Sequence, residues 1–437
     1  MTVTRITNCH LIDNGKVYHD QDLYFDNETR KICSAPASTS EISNTINLKG
    51  QMLAPGLLDI QNNGIYGLNF SNLNDKSSAL DIADFKRFYQ DAMAKYLTTG
   101  VTATCPTVTS NFPSVYRKVL PIYKPSRLED QTDSLGAHLE GPFINLQKKG
   151  CHPTETFVDA KGGERKLLEV YGSSESLRDN VCIITAAPEI DGVLDLIPFI
   201  TKHNIVYAIG HTMTDYETGV KAIEKGCTMI THMYNAMPQP HHRNAGVVGL
   251  INLPNGEGTN TVSPSPSIAS AKDKTPYFGL ICDGVHVDPS MANLAYRSNP
   301  EKCVLVTDAM HLIGLPDGEY KWDGQIIVKT GDRLYLKGTD TLAGAATTLP
   351  QCIRNLMKWA NIPLATAVKL ATNNAALSIG VEKERGYLNV GCDADFIVLN
   401  KEGYVTKVFK LGNEIKSSDL SVGDSSYPAE SRLAAAL

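Results

Sequence analysis

IVYAIGHTMTDYETGVKAIEKGCTMITHMYN (205–235) reads as strand, helix, strand, and each strand runs out onto a histidine, His211 and His232. The two apolar runs are continuous rather than alternating, which suits parallel strands buried on both faces. Between them Thr214 and Glu217 have the spacing of a capping box that opens a helix. Neighbouring strands lie about 4.8 Å apart, so imidazoles at the ends of two adjacent strands can reach one ion.

Working outward, the same alternation predicts eight strands: QMLAPGLLDIQ (51–61), VTATCPTV (101–108), SLGAHLEG (134–141), VCIITAAPE (181–189), the two above, FGLICDGVH (278–286) and KCVLVTDA (302–309). Helical periodicity is clear where Phe85, Phe88, Tyr89, Ala92, Met93, Tyr96 and Leu97 share one face, with a stop at Gly100. The pattern implies an α/β fold, a TIM (β/α)8 barrel. In that fold the C-terminal strand ends converge on one mouth.

Both chain ends have a different texture. TRITNCHLIDNGKVYHDQDLYFDNETRKICSA (4–35) and GYLNVGCDADFIVLNKEGYVTKVFKLGNEI (386–415) alternate with period two between turns. They predict a small β-sandwich domain built from residues 1–53 and 386–437, flanking a barrel of residues 54–385. The polar, Ser-, Gly- and Pro-rich stretch from Asn255 to Thr275 reads as a surface loop inserted before the seventh strand.

The 437 residues suffice for a barrel core and a small second domain. A net charge of −6 argues against a nucleic-acid surface. No run has the length of a membrane helix and the start lacks a leader pattern, so the cytoplasm is the expected compartment. The ten cysteines are scattered with no CxxC pair and read as reduced core residues.

Two further strand ends carry carboxylates. Glu140 leaves the third strand just before Gly141 and Pro142, and the run 134–147 contains no Lys or Arg to pair with it. A buried carboxylate needs a partner, and with His211 and His232 that partner is a divalent metal ion, zinc being expected for two His, one Glu and water. Asp308 ends the eighth strand, where a carboxylate beside an activated water can take its proton and return it to a leaving nitrogen. His152, in a loop after the third strand, and His286, at the end of the seventh, are placed to bond substrate or polarise a carbonyl.

At LDIQNNG, HLEGPF, GHT, THMYNAM, DGVH and TDAM the chain resembles the N-acetylglucosamine-6-phosphate deacetylases of the amidohydrolase superfamily, over nearly its whole length. Gln61 and Asn63 stand where that superfamily places the two histidines of a DxHxH pattern. Amides are poor ligands, so one ion per subunit is expected rather than two. The resemblance implies Glu140, His211 and His232 as metal ligands, Asp308 as general base then acid, and His152 on the acetyl carbonyl. It further implies Asn235 and the Ala236 backbone on the sugar phosphate, Arg243 pairing with phosphate in a homodimer, and His286 on sugar hydroxyls. Leu342, Ala343 and Gly344 resemble a family loop near the acetyl group, and Gln61 is a barrel-mouth hydrogen bonder or substrate contact. After Arg243 related sequences commonly carry a proline that this chain replaces with Asn244, Ala245, Gly246, which predicts a looser loop. His241 and His242 keep that loop basic.

Hydrolysis of the acetamide of N-acetylglucosamine 6-phosphate is thus the function the resemblance implies. The galactosamine epimer fits every motif equally. Other amidohydrolase activities, such as cyclic amide hydrolysis, fit the barrel but sit poorly with the missing DxHxH pair. A non-catalytic scaffold would have no reason to keep Glu140, His211, His232 and Asp308 together.

Overall fold

The computed structural model describes residues 2–253, 274–322, 325–339 and 342–416. Eight parallel strands, Leu57–Asn62, Val101–Thr109, Ala137–Glu140, Val181–Ala186, Val206–Ile209, Met229–Ile230, Tyr277–Ile281 and Cys303–Val306, pair each with the next in chain order. The ring closes where Asp308 N donates to Gln61 O at 2.9 Å and Asn63 N to Ala309 O at 3.0 Å. The barrel is lined below by Leu58, Ile60, Ala103, Cys105, Ile183, Ala208, Met229, Ile281, Val304 and Val306. Above this layer the buried polar groups begin, with Asp59, Asn62 and Thr307 bonded to one another and to Tyr96 of the helix before the second strand, and His138, Thr185 and Thr231 bonded in a second group.

The helix predicted before the second strand spans Ala79–Leu97, and Ser78 with Asp81 forms its capping box. Six of the seven expected face residues are buried, with Phe88 partly so. Both chain ends pair in one eight-stranded sheet, in the order 413–415, 405–410, 396–399, 42–55, 3–13, 23–26, 32–33, with 16–18 pairing on 3–13 as the eighth strand. It is a single sheet that bends round. Its outer edge returns to the chain before Phe396 through Ile32 N to Cys392 O at 2.8 Å and Ala394 N to Arg30 O at 2.9 Å. Ile6, Phe25, Leu53, Phe396 and Phe409 fill the inside. A buried charge cluster ties this sheet to the barrel, with Lys410 Nζ 2.7 Å from Asp133 and 2.6 Å from Asp395, and Arg385 2.6 Å from Asp133.

Several sequence expectations need correcting. Gln51–Pro55 belongs to the small sheet, and the first barrel strand starts at Leu57; continuous apolar character cannot reveal that a chain has changed sheets. The sixth strand is only Met229–Ile230, and the seventh stops at Ile281, so His286 sits five residues beyond it in a turn. A four-stranded antiparallel sheet, Gly318–Trp322, Gln325–Thr330, Arg333–Leu336 and Leu342–Ala345, follows the eighth strand and was not expected. The insertion expected at 255–275 lies outside the described residues save its last two.

The helix after the fifth strand, Tyr216–Glu224, is capped by Asp215, whose carboxylate accepts the Thr218 N–H at 2.8 Å. The Thr214–Glu217 capping box is therefore not formed, and Thr214 Oγ1 is buried without a partner. Asp215 wins because a carboxylate at the helix N-terminus also meets the helix dipole. Asp215→Ala is expected to cost about 1 kcal/mol in denaturant melts, whereas Thr214→Val stays within about 0.5 kcal/mol of the parent; the reverse order would restore the first assignment.

Candidate functional site

At the mouth, Glu140 Oε1 lies 3.2 Å from His211 Nε2 and 3.0 Å from His232 Nε2, and the two Nε2 atoms are 3.0 Å apart. All three side chains are almost wholly buried. His211 Nδ1 lies 2.7 Å from the Lys148 carbonyl, so it carries the ring proton and leaves Nε2 a bare lone pair aimed at the Glu140 carboxylate. Such atoms repel unless a cation lies between them. A tetrahedral ion with bonds of about 2.0–2.1 Å holds its ligands about 3.3 Å apart, close to the spacing seen. The residues present therefore fit a divalent ion.

Glu140, His152 and His211 also offer ligand atoms all within 4.8 Å of one another, a second possible set. Hydrogen bonding separates the two. His152 Nδ1 accepts the Ser110 backbone N–H at 3.1 Å and lies 2.8 Å from the Ser110 hydroxyl, so the neutral ring bears its proton on Nε2, 3.8 Å from Glu140 Oε2. Burial, and next the charge of His211, keep His152 neutral, down to about 3. His152 presents a donor to the site rather than a lone pair, and His232 is the better third ligand.

Burial opposes charging His232, but the hydrogen bond and charge of Glu140 with the charge of Asp308 outweigh it and lift the ring to about 9. Burial alone would raise Glu140 too, yet His211 and His232 hold it well below the carboxylate range. These are the electrostatics of a negative centre seeking cations. Burial, then the charge of Glu140, pushes Asp308 up to about 6, against the charges of His232 and His286 and a 2.7 Å hydrogen bond from Asn63 Nδ2. Gln61 Nε2 donates to Glu140 Oε1 at 3.1 Å, so this amide braces the carboxylate.

His211, His232 and Asp308 have φ of 49°, 27° and 43°, and Tyr234 and Ala236 are likewise left-handed at 74° and 48°. Left-handed backbone is costly for residues other than glycine and clusters at functional sites. It turns the side chains off the strand direction toward the axis. Gly150, φ 56°, lets the loop after the third strand lie on His211, since an added Cβ would come 3.1 Å from its Cε1.

The remaining expected contacts lie further out. His286 Nδ1 is held by Asp283 at 2.7 Å, and its ring feels the charges of Asp308 and His232. The Asn235 amide turns back onto the carbonyls of His232 and Met233, and the Ala236 carbonyl accepts Thr212 N–H at 3.1 Å. Arg243 is exposed on a turn closed by two backbone bonds between His241 and Asn244, at 3.0 and 2.9 Å. The looseness expected there is offset, because Asn244 Oδ1 also accepts Gly246 N–H at 3.1 Å. Leu342–Ala345 is a strand rather than a loop, paired with Arg333–Tyr335. At Gly344 an added Cβ would come 2.5 Å from Met310 Sδ, two residues past Asp308.

Sequence reasoning assigned no role to Glu189, Ser110 or Lys148. Glu189 was findable, for it closes the fourth apolar run of the sequence as Glu140 closes the third, although the strand itself stops at Ala186. Lys148 acts through its carbonyl and leaves no side-chain signal, while Ser110 acts through both its N–H and its hydroxyl, which lies 2.8 Å from His152 Nδ1.

A parallel barrel whose mouth gathers a carboxylate, two imidazoles and a second carboxylate defines a hydrolase of the amidohydrolase kind. Residues 52–415 match the amidohydrolase family, of which the chain is a member. An N-acetylglucosamine-6-phosphate deacetylase of Caenorhabditis elegans is 34% identical over 411 residues, 92% of this chain and 89% of the relative. This places the chain in the N-acetylglucosamine-6-phosphate deacetylase family. The crystal structure of such an enzyme from Pasteurella multocida has a TM-score of 0.76 at 23% identity, covering 94% of this chain and 99% of that one. A Mycobacterium smegmatis mutant enzyme in complex with N-acetyl-D-glucosamine-6-phosphate scores 0.73 at 24% identity, over 95% and 99%. At these identities the two structures show the fold.

Proposed function

We propose that this protein hydrolyses the acetamide of N-acetylglucosamine 6-phosphate to glucosamine 6-phosphate and acetate, with one divalent ion per subunit. The observation that carries this reading is the convergence of Glu140, His211 and His232 at 3.0–3.2 Å below Asp308, in a chain whose curated relatives are named for that reaction. Glu140, His211 and His232 would hold the ion, and zinc suits two imidazoles and one carboxylate. When bound, such an ion supplies Lewis acidity to the acetamide carbonyl and acidifies a nearby water.

The chain's own groups do the rest. Asp308 takes a proton from the attacking water as its oxygen bonds the carbonyl carbon, then delivers a proton to the amine as the C–N bond breaks. His152 Nε2–H donates to the carbonyl oxygen as negative charge grows there, an orientation its Ser110 bond already enforces. Gln61 keeps Glu140 in place. His286, Asn235 and the Ala236 backbone border the mouth where the sugar would lie, with Leu342, Ala343 and Gly344 on the acetyl side.

Arg243 pairs with phosphate in this reading. Among the described residues its exposed turn makes no hydrogen bond or ion pair with the Glu140 cluster, which suits service to a neighbouring subunit's site in a homodimer. The free state of all ten cysteines supports a reducing, cytoplasmic setting. Among the described residues no helix is long and apolar enough to cross a membrane.

Acetate release from N-acetylglucosamine 6-phosphate and from the unphosphorylated sugar tests the reading. The phosphorylated sugar is expected to be favoured by about 100-fold or more in kcat/KM, on the scale of a charge-assisted phosphate contact. Equal rates would remove the phosphate pocket, and no acetate from either would remove the activity.

A further inference from the structure

We infer that Glu189 is a positioning residue that aims His211 at the ion site, an inference resting on the metal assignment above. Its carboxylate stands three residues past the fourth strand, which ends at Ala186, and holds two separate loops. Oε1 accepts the Met213 N–H at 2.6 Å and the Asn145 amide at 3.0 Å, and Oε2 accepts the Thr212 hydroxyl at 2.5 Å. Thr212 and Met213 are the two residues that follow His211.

Asn145 completes a circuit. Its backbone N–H donates to the His211 carbonyl at 2.9 Å, and its side-chain oxygen accepts Gln147 N–H at 2.9 Å, capping the short turn Leu146–Lys148. The last carbonyl of that turn, Lys148, takes the His211 Nδ1 proton at 2.7 Å. From His211 one can pass through Thr212 to Glu189, on to Asn145, along the turn to Lys148, and back to the imidazole. Every link outside the chain itself is a hydrogen bond, and Glu189 is the one member that bonds through a charged group.

The circuit answers a specific need. His211 has φ of 49°, a conformation worth about 1–3 kcal/mol of strain that persists only where the surroundings over-determine it. Glu189 clamps the backbone directly after that residue, and through Asn145 it sets the carbonyl that fixes the ring's tautomer. His232 lacks such a device, since its Nδ1 is buried without a partner. Placing His211 therefore falls to this network, and loss of its anchor should be felt at Nε2, beside Glu140.

The test is Co2+ binding by chelator-stripped protein, read by titration and by visible absorption, with melting of the ion-free chains alongside. Glu189→Gln is expected to bind Co2+ about 10–100-fold more weakly, as changes behind metal ligands generally do, with an altered absorption band, and to melt close to the parent. Glu189→Asp should recover part of the affinity. Thr212→Val keeps the shape but removes the leg to Glu189, together with the bond that the hydroxyl accepts from the Thr214 N–H at 2.9 Å, and is expected to weaken binding several-fold; it decides the matter should Glu189→Gln fail to fold. Parent-like Co2+ affinity and spectrum in a folded Glu189→Gln or Thr212→Val overturn the inference, even where melting falls, since that pattern marks a merely structural role. A parent that binds no divalent ion overturns the metal assignment itself, a result the parent titration shows on its own.

Discussion

Asp308→Asn is expected to retain its metal ion and lose about 10³-fold or more in kcat, in the upper part of the range for removing a general acid–base. Asparagine keeps the shape of the side chain and tolerates left-handed backbone, so the φ of 43° at this position is no obstacle to folding. It can still meet Asn63 Nδ2 through its amide oxygen. What it cannot do is take a proton. Burial and the charge of Glu140 place the native carboxyl at about 6, where it can both accept a proton and give it back. Steady-state rates with metal content measured on the same samples check the claim, and turnover within tenfold of the parent would remove Asp308 from the chemistry.

Glu140→Gln should lose the ion. The replaced oxygen is the one atom that meets Gln61, His211 and His232 together, at 3.1, 3.2 and 3.0 Å. An amide oxygen there is neutral and a weak ligand, and the amide N–H2 would point a donor at atoms arranged to accept. Affinity is expected to fall by well over 100-fold, beyond the ~10–100-fold produced by residues that merely support ligands, and activity should fall to background. Metal analysis after dialysis decides it: the parent should retain about one ion per chain, and a Glu140→Gln chain retaining as much would show that Glu140 is not a ligand. Two ions per parent chain would contradict the reading of Gln61 as an amide that only braces Glu140.

How much of this was legible beforehand varies by residue for physical reasons. Glu140, His211, His232 and Asp308 could be read as one site because a parallel barrel delivers every strand's C-terminal end to the same mouth. The helix Ala79–Leu97 was readable because burial on one face imposes a 3.6-residue period. The sheet between Gly318 and Ala345 escaped notice although its signals exist, with short β-rich runs separated at Asp323-Gly324 and Gly331-Asp332. The runs are short, four to six residues each, and the turn residues between them read equally well as loop.

Adjacent strand ends already pointed to His211 and His232 as ligands, but what sets His152 apart from that role could not be read locally, since it is the Ser110 N–H and hydroxyl reaching His152 Nδ1. The same is true of Glu189, whose importance lies in which loops it joins.

The order of apolar runs and the residue type at each run's end settled the architecture and the chemical class, because strand burial and side-chain chemistry are local properties that the chain carries at each position. Tertiary structure alone decided the left-handed turns at His211, His232 and Asp308, the tautomers of the imidazoles and the spacing near 3 Å around Glu140. Those depend on hydrogen bonds between segments tens to hundreds of residues apart, and no local pattern encodes which distant carbonyl or N–H a side chain will meet.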